Sequence, residues 1–175
     1  MELKENTQKL HKIGQNAYRK MRYGKIARIA LIITIIGIPI VYILSTIWLE
    51  QNLKPWEYDE VGHYSWGIIM QFPWCSIGLS VWAVFRGKCY EEVGAKNAHI
   101  VKIEEKNFTY TYYPKKHEEM AATVKFNLNG AEVSYDQDFD LYIIKAINTN
   151  TNQQAEIKIP NCFDRDLREV LKSPN

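Results

Sequence analysis

The chain has 175 residues, 24% charged and 46% hydrophobic, with a formal net charge of +2. That leaves room for one soluble domain of ordinary size, and it lacks the basic surplus that a nucleic-acid binder carries on its folded part. The averages conceal a segregation, because residues 29–49 and 64–85 contain no charged side chain and all 22 basic and 20 acidic residues lie outside them.

Residues 1–28 carry eight basic and two acidic side chains, with apolar residues at Leu3, Leu10, Ile13, Ala17 and Met21. This near-heptad spacing predicts a basic cytoplasmic segment that is partly helical and amphipathic. Its cations either rest against anionic headgroups, at about 1 kcal/mol each near the surface, or serve only to fix topology.

The block Ile29–Leu49 is long enough, at about 1.5 Å per residue, to cross a hydrocarbon core of roughly 30 Å. A cleaved signal peptide has a shorter apolar region followed by small residues. This block ends in Trp48-Leu49-Glu50 instead, so it reads as transmembrane helix 1. Residues 50–63 form an extracytoplasmic loop with Lys54 against Glu50, Glu57, Asp59 and Glu60. Residues 64–85 then read as transmembrane helix 2, rich in aromatic side chains, with Gln71 placed to bond across to Thr34 or to backbone freed by a proline.

Arg19, Lys20, Arg22, Lys25 and Arg28 precede the first span, and Arg86 and Lys88 follow the second. Basic residues stay on the cytoplasmic side, so a two-pass hairpin with both termini cytoplasmic is predicted, and these seven are the candidate membrane-surface cations. Trp48, Trp56, Tyr58, Tyr64 and Trp66 mark the outer boundary. Each span holds a central proline, Pro39 and Pro73. With Gln71 these are the hinge candidates, although a tolerated kink in an anchor is the simpler account. Ser76 and Ser80 have the small-xxx-small spacing that suits a seat for the hairpin or for a second protomer.

From residue 98 the apolar period becomes two. His99–Glu104 and Phe108–Tyr113 read as strands about the turn Glu105-Lys106-Asn107. Ala122–Leu128 follows, and Asn129-Gly130 predicts a hairpin into Val133 and Tyr135. Leu141–Ile147 is the most apolar strand and is placed centrally, Asn148–Gln154 is a loop, and Ala155–Ile159 is the last strand. Asp164 is positioned to cap a helix over 164–172 with Phe163, Leu167, Val170 and Leu171 facing the sheet. The predicted fold is therefore a transmembrane hairpin plus a small antiparallel β domain over 90–175. That domain is a curled sheet or split barrel of about six strands, with the C-terminal helix plugging its open side.

The stretches Val133–Ile144, Ile157-Lys-Ile-Pro160 and Phe163–Leu171, placed after two spans, resemble the bacterial pleckstrin-homology-like membrane proteins over residues 98–172. The resemblance implies a PH-like β domain, residence in the bacterial cytoplasmic (inner) membrane and a scaffold or regulatory role, with no set of catalytic residues. The chain departs from a headgroup binder in having only Lys115-Lys116-His117 as a basic cluster, followed at once by Glu118-Glu119.

Catalytic and metal signals are sparse. His117-Glu118 begins like a zinc-protease helix, but Ala121 stands where the second histidine belongs. Asp136, Asp138 and Asp140 alternate as a possible cation face, yet Leu141 and Ile147 break the calcium-loop pattern, and a solvated strand or turn is the better account. Cys75, Cys89 and Cys162 lack metal-site spacing and read as reduced thiols, and no spacing couples Cys162 to His99 or His117. The sequence thus predicts no cofactor, no metal and no nucleic-acid partner. It points to a non-enzymatic membrane-anchored binding or regulatory module. Its expected partners are the lipid bilayer and either a protein or peptide on the β domain or a second copy through the hairpin. A sensor–effector that perturbs the membrane and an immunity protein against a toxin are the alternatives.

Overall fold

The computed structural model describes residues 1–52, 60–104 and 106–172, with side chains described for these except 60–67 and 170–172. The connector's Lys54, Trp56, Glu57, Tyr58 and Asp59, the Glu60, Tyr64 and Trp66 side chains, Glu105, and the expected sheet contacts of Val170 and Leu171 lie outside them. In chain order the elements begin with β1 (Glu2–Lys4), α1 (Thr7–Lys20), α2 (Arg22–Asn52) and α3 (Glu60–Glu92). The sheet follows as β2 (Asn97–Glu104), β3 (Asn107–Pro114), β4 (Ala122–Asn127), β5 (Glu132–Asp136), β6 (Leu141–Asn148) and β7 (Gln153–Pro160), and α4 (Leu167–Lys172) ends the chain. Two compact units result: residues 22–87, and residues 1–21 together with 88–175.

The helical unit consists of α2 and α3, which run beyond the uncharged blocks at both ends. Their most apolar stretches have mean hydropathies of 2.5 and 1.6 and are long enough to cross a membrane. Each helix continues unbroken through its proline. Pro39 has no N–H, so the Ile35 carbonyl four residues back loses its partner. At the neighbouring carbonyl, Thr34, the Trp74 indole N–H donates across the pair at 3.0 Å. Trp74, and not Gln71, therefore takes the acceptor that the sequence had suggested for the amide.

The two helices approach through glycine. A Cβ added at Gly78 would lie 1.8 Å from Thr34 Oγ1, and one at Gly37 would lie 2.3 Å from the Trp74 ring. Ser76 and Ser80, suggested as a seat for the hairpin or for a second protomer, are exposed and do not seat the hairpin within this chain.

The β unit is one seven-stranded antiparallel sheet, β1-β2-β3-β4-β6-β5, with β7 on β6. The apolar strand Leu141–Asn148 is central, since it pairs with β4, β5 and β7. The sheet curls until its ends meet, where Glu5 bridges Phe163 and the Asn6 N–H donates to the Cys162 carbonyl at 2.6 Å. Phe108 and Phe126, opposite each other on β3 and β4, are fully buried with Val101, Ile144, Ile159 and Phe163.

Three elements depart from the sequence expectation. First, residues 1–21 are not a separate tail: β1 extends the sheet, and Leu10, Ile13 and Ala17 of α1 are buried in the core. The apolar face that could have met a membrane is satisfied inside the β unit. Asn6 starts this helix by accepting from the Gln8 and Lys9 N–H groups, as an N-cap residue does.

Second, Asn129-Gly130 does not make a hairpin. A two-residue type I′ turn needs positive φ at both central positions. Only Gly130 has it, at 76°, and the turn closes by the Ala131 N–H donating to the Leu128 carbonyl. The chain jogs there and keeps its direction, so that β4 pairs with β3 and β5 pairs with β6. The hairpin comes next, at Asp136–Leu141, where Asp140 takes a φ of 55°.

Third, the C-terminal helix is short. It begins at Leu167, and its cap is Asp166, which accepts from the Arg168 N–H, while Asp164 accepts from the Asn6 amide. Most of the helical cover over the core is α1.

Candidate functional site

Because β1 and Glu5 close the sheet only at one end, a seam stays open beside β7. Eight residues of β7 pair with β6, and the opposite edge of β7 carries no strand among the described residues. Along this edge lies a groove of about 410 Å³, bordered by four consecutive β7 residues, Ala155 to Lys158. Its facing wall is the end of α3 and the start of β2, from Glu91 to Gly94 and Asn97. The floor is mainly apolar, with Tyr112 and Val124 half-buried above the buried Tyr110 and Phe126.

At the base of the wall sits His99, only 2% exposed. Its Nε2 lies 2.9 Å from the Gly94 carbonyl, and its Nδ1 lies 2.7 Å from the Tyr110 hydroxyl. A carbonyl can only accept, so Nε2 carries the proton and Nδ1 accepts from the Tyr110 O–H. Gly94 makes this possible by turning the chain at φ 70° directly after α3. Glu5 accepts from the His99 backbone N–H at 3.0 Å and is held by Lys115 at 2.8 Å.

Burial, first among its causes, lowers the His99 pKa below the ordinary 6.5, although the Gly94 bond and Glu5 pull the other way. Burial also drives the Tyr110 phenol well above its usual range. Both groups are neutral at physiological pH, and the pair is a satisfied polar contact that anchors the helix-to-sheet turn.

The sign of the pH dependence follows. The unfolded chain takes up a proton near pH 6.5 that folded His99 resists, so its contribution is fully present above that pH and is lost as pH falls below it. The slope from one such proton is at most about 1.4 kcal/mol per pH unit. Urea unfolding of the full chain in detergent at pH 7.5 and 5.5 should show wild type losing more stability on acidification than His99→Gln. Equal losses would show that His99 titrates alike in both states.

The remaining sequence candidates lie elsewhere. Arg19 and Lys20 end α1, where Lys20 pairs with Asp138 at 2.8 Å. Arg22, Lys25 and Arg28 open α2, and Arg86 and Lys88 lie near the end of α3, with the Arg86 guanidinium 5.0 Å from the centre of the Trp82 ring. Pro39 and Pro73 are exposed on their helices, and Gln71 is half-buried.

The three aspartates are used separately. Asp136 accepts from the Asp138 and Phe139 N–H groups, whereas Asp140 accepts from the Tyr135 hydroxyl at 2.5 Å and the Asn161 amide at 3.0 Å. That bond to Asp140, with partial burial, raises the Tyr135 phenol to about 12. Burial pushes the Cys162 thiol up to about 12, and His117 pairs with Glu119, so neither imidazole partners the thiol.

Sequence reasoning missed the groove. Its one legible sign was the alternation of β2, which sets His99 on the inward face with Val101. The β7 edge and the wall at Glu91 and Glu92 depend on how far the sheet curls, which no local pattern encodes. No family model matches the chain, and neither a curated protein nor a solved structure matches it.

Proposed function

We propose that this chain is a two-span membrane protein whose β unit is a non-catalytic binding module, and that the seam beside β7 is its binding site. The anchoring half is supported by exposed side chains on both long helices: Ile32, Ile36, Leu44, Phe72 and Ile77 are each more than half exposed. A soluble monomer rarely leaves so large an apolar surface in water. Such a surface is stable in lipid, and the flanking cations support an orientation with both termini on the cytoplasmic side. The curled sheet and capping helix are also compatible with a PH-like module of a bacterial inner-membrane protein.

The binding half is carried by one observation, an open groove bounded by a strand edge that is unpaired among the described residues. Its buried titratable pair is neutral and already bonded to itself and to Gly94. Glu91, Glu92, Glu156 and Lys158 lie on its exposed rim. This set suits recognition better than nucleophilic or acid–base chemistry, which needs an activated group within reach of a base.

The test is a photo-crosslinking amino acid at Lys158 of the full-length protein in cells. A discrete adduct is expected, and it should vanish when Val124→Trp fills the floor. Adducts unchanged by that substitution, or none, would remove the groove as the site.

A further inference from the structure

The groove has three walls of different chemistry, and together they describe an occupant. One is a strand edge, which presents backbone N–H and C=O groups that a second extended chain can pair with. The second is the floor, where Tyr112, Val124 and Ile157 are half-buried and leave apolar surface within reach of the groove. The third is acidic: Glu91 and Glu92, both exposed, close the side opposite β7, and with Glu156 they give three carboxylates against the single cation Lys158. Two of these carboxylates have lysine partners and hold them loosely, Glu91 to Lys96 at 3.5 Å and Glu156 to Lys145 at 3.7 Å, all four groups being well exposed. Ion pairs of this kind contribute little and exchange readily.

We propose that the groove takes an extended peptide segment of a partner protein as an added strand on β7, with a basic side chain lying against Glu91 and Glu92. The inference rests on the binding-module reading above and deepens it. Strand addition has the edge of Ala155–Lys158 available along the groove, enough for a short run of ladder bonds, whereas Ile159 and Pro160 are buried. Side chains of an added strand alternate, so an apolar residue directed to the floor is followed by one directed outward, where the carboxylates set the preferred charge. Glu156 and Lys158 also decorate the free edge with charge, which discourages indiscriminate pairing and leaves the edge to a strand of matching pattern.

The experiment uses full-length protein in detergent and a blocked eight-residue peptide alternating valine and lysine. Two controls replace lysine by glutamate or methylate alternate backbone nitrogens. Hydrogen exchange at residues 155–158 reports pairing with β7, and fluorescence anisotropy reports affinity. The valine–lysine peptide should slow exchange at those amides. Its affinity should fall at least tenfold on Glu91→Lys with Glu92→Lys, both surface positions that leave the core intact, and should be lost on backbone methylation.

A glutamate peptide that binds equally well overturns the charge assignment, and a lysine peptide that binds without slowing exchange at β7 overturns strand addition. Either result leaves the binding-module reading standing as long as the Lys158 crosslink persists. Protection at 155–158 that rises with protein concentration and needs no peptide overturns the proposal in favour of a second copy of this chain. Absence of both peptide binding and crosslink removes the two together.

Discussion

A fragment beginning at residue 88 is expected not to fold, although it holds six of the seven strands. Leu3, Leu10, Ile13 and Ala17 are all buried in the core of the β unit and would be missing. Truncating a buried leucine or isoleucine to alanine costs about 2–5 kcal/mol, so losing three such side chains approaches the whole stability of a domain, about 5–15 kcal/mol. The fragment would also lose the β1–β2 ladder and the Glu5 carboxylate that accepts from the His99 N–H. Joining residues 1–21 to residues 88–175 by a flexible Gly/Ser linker, with the hairpin removed, should restore a cooperative unfolding transition by circular dichroism. The account of α1 as a core element is wrong if residues 88–175 alone unfold with the same midpoint as the linked form.

The second large effect is at Phe108. It faces Phe126 across the β3–β4 ladder, and both are completely buried. Phe108→Ala should destabilise the β unit by about 3–5 kcal/mol through lost burial and the cavity left behind. Val133→Ala on β5, where the side chain is 41% exposed, should change stability by no more than about 0.5 kcal/mol. Denaturant midpoints of the linked β unit measure both. Comparable losses at the two positions would mean that the core is not centred on the β3–β4 pair.

Much of the architecture could be read from periodicity. The six strands after residue 97 fall where apolar residues alternate, and the two long helices enclose the two uncharged blocks. The departures share a physical cause, which is that they depend on partners distant in sequence. The spacing of Leu10, Ile13 and Ala17 announces an amphipathic helix but not whether lipid or a sheet some eighty residues away covers it. Asn129-Gly130 carries the composition of a tight hairpin, yet with positive φ at Gly130 alone the turn offsets a strand, and the partner of β5 becomes β6. Asp164 looks like a helix cap until Asn6, from the other end of the chain, claims its carboxylate at 2.8 Å. The groove was least legible of all, since it is an absence of pairing along β7 and arises only once the curled sheet has closed at Glu5 and Phe163.

In the two-span arrangement proposed above, α2 and α3 cross a membrane and return the β unit to the side on which the chain began. Fusing a reporter that fluoresces only in the cytoplasm, and separately one active only outside it, to the C-terminus and to residue 55 measures this directly in expressing bacteria. Cytoplasmic fluorescence is expected with the C-terminal fusion, external activity with the fusion at 55, and both proteins in the carbonate-resistant membrane fraction. External activity from the C-terminus, or full-length chain released by carbonate, would rule the arrangement out.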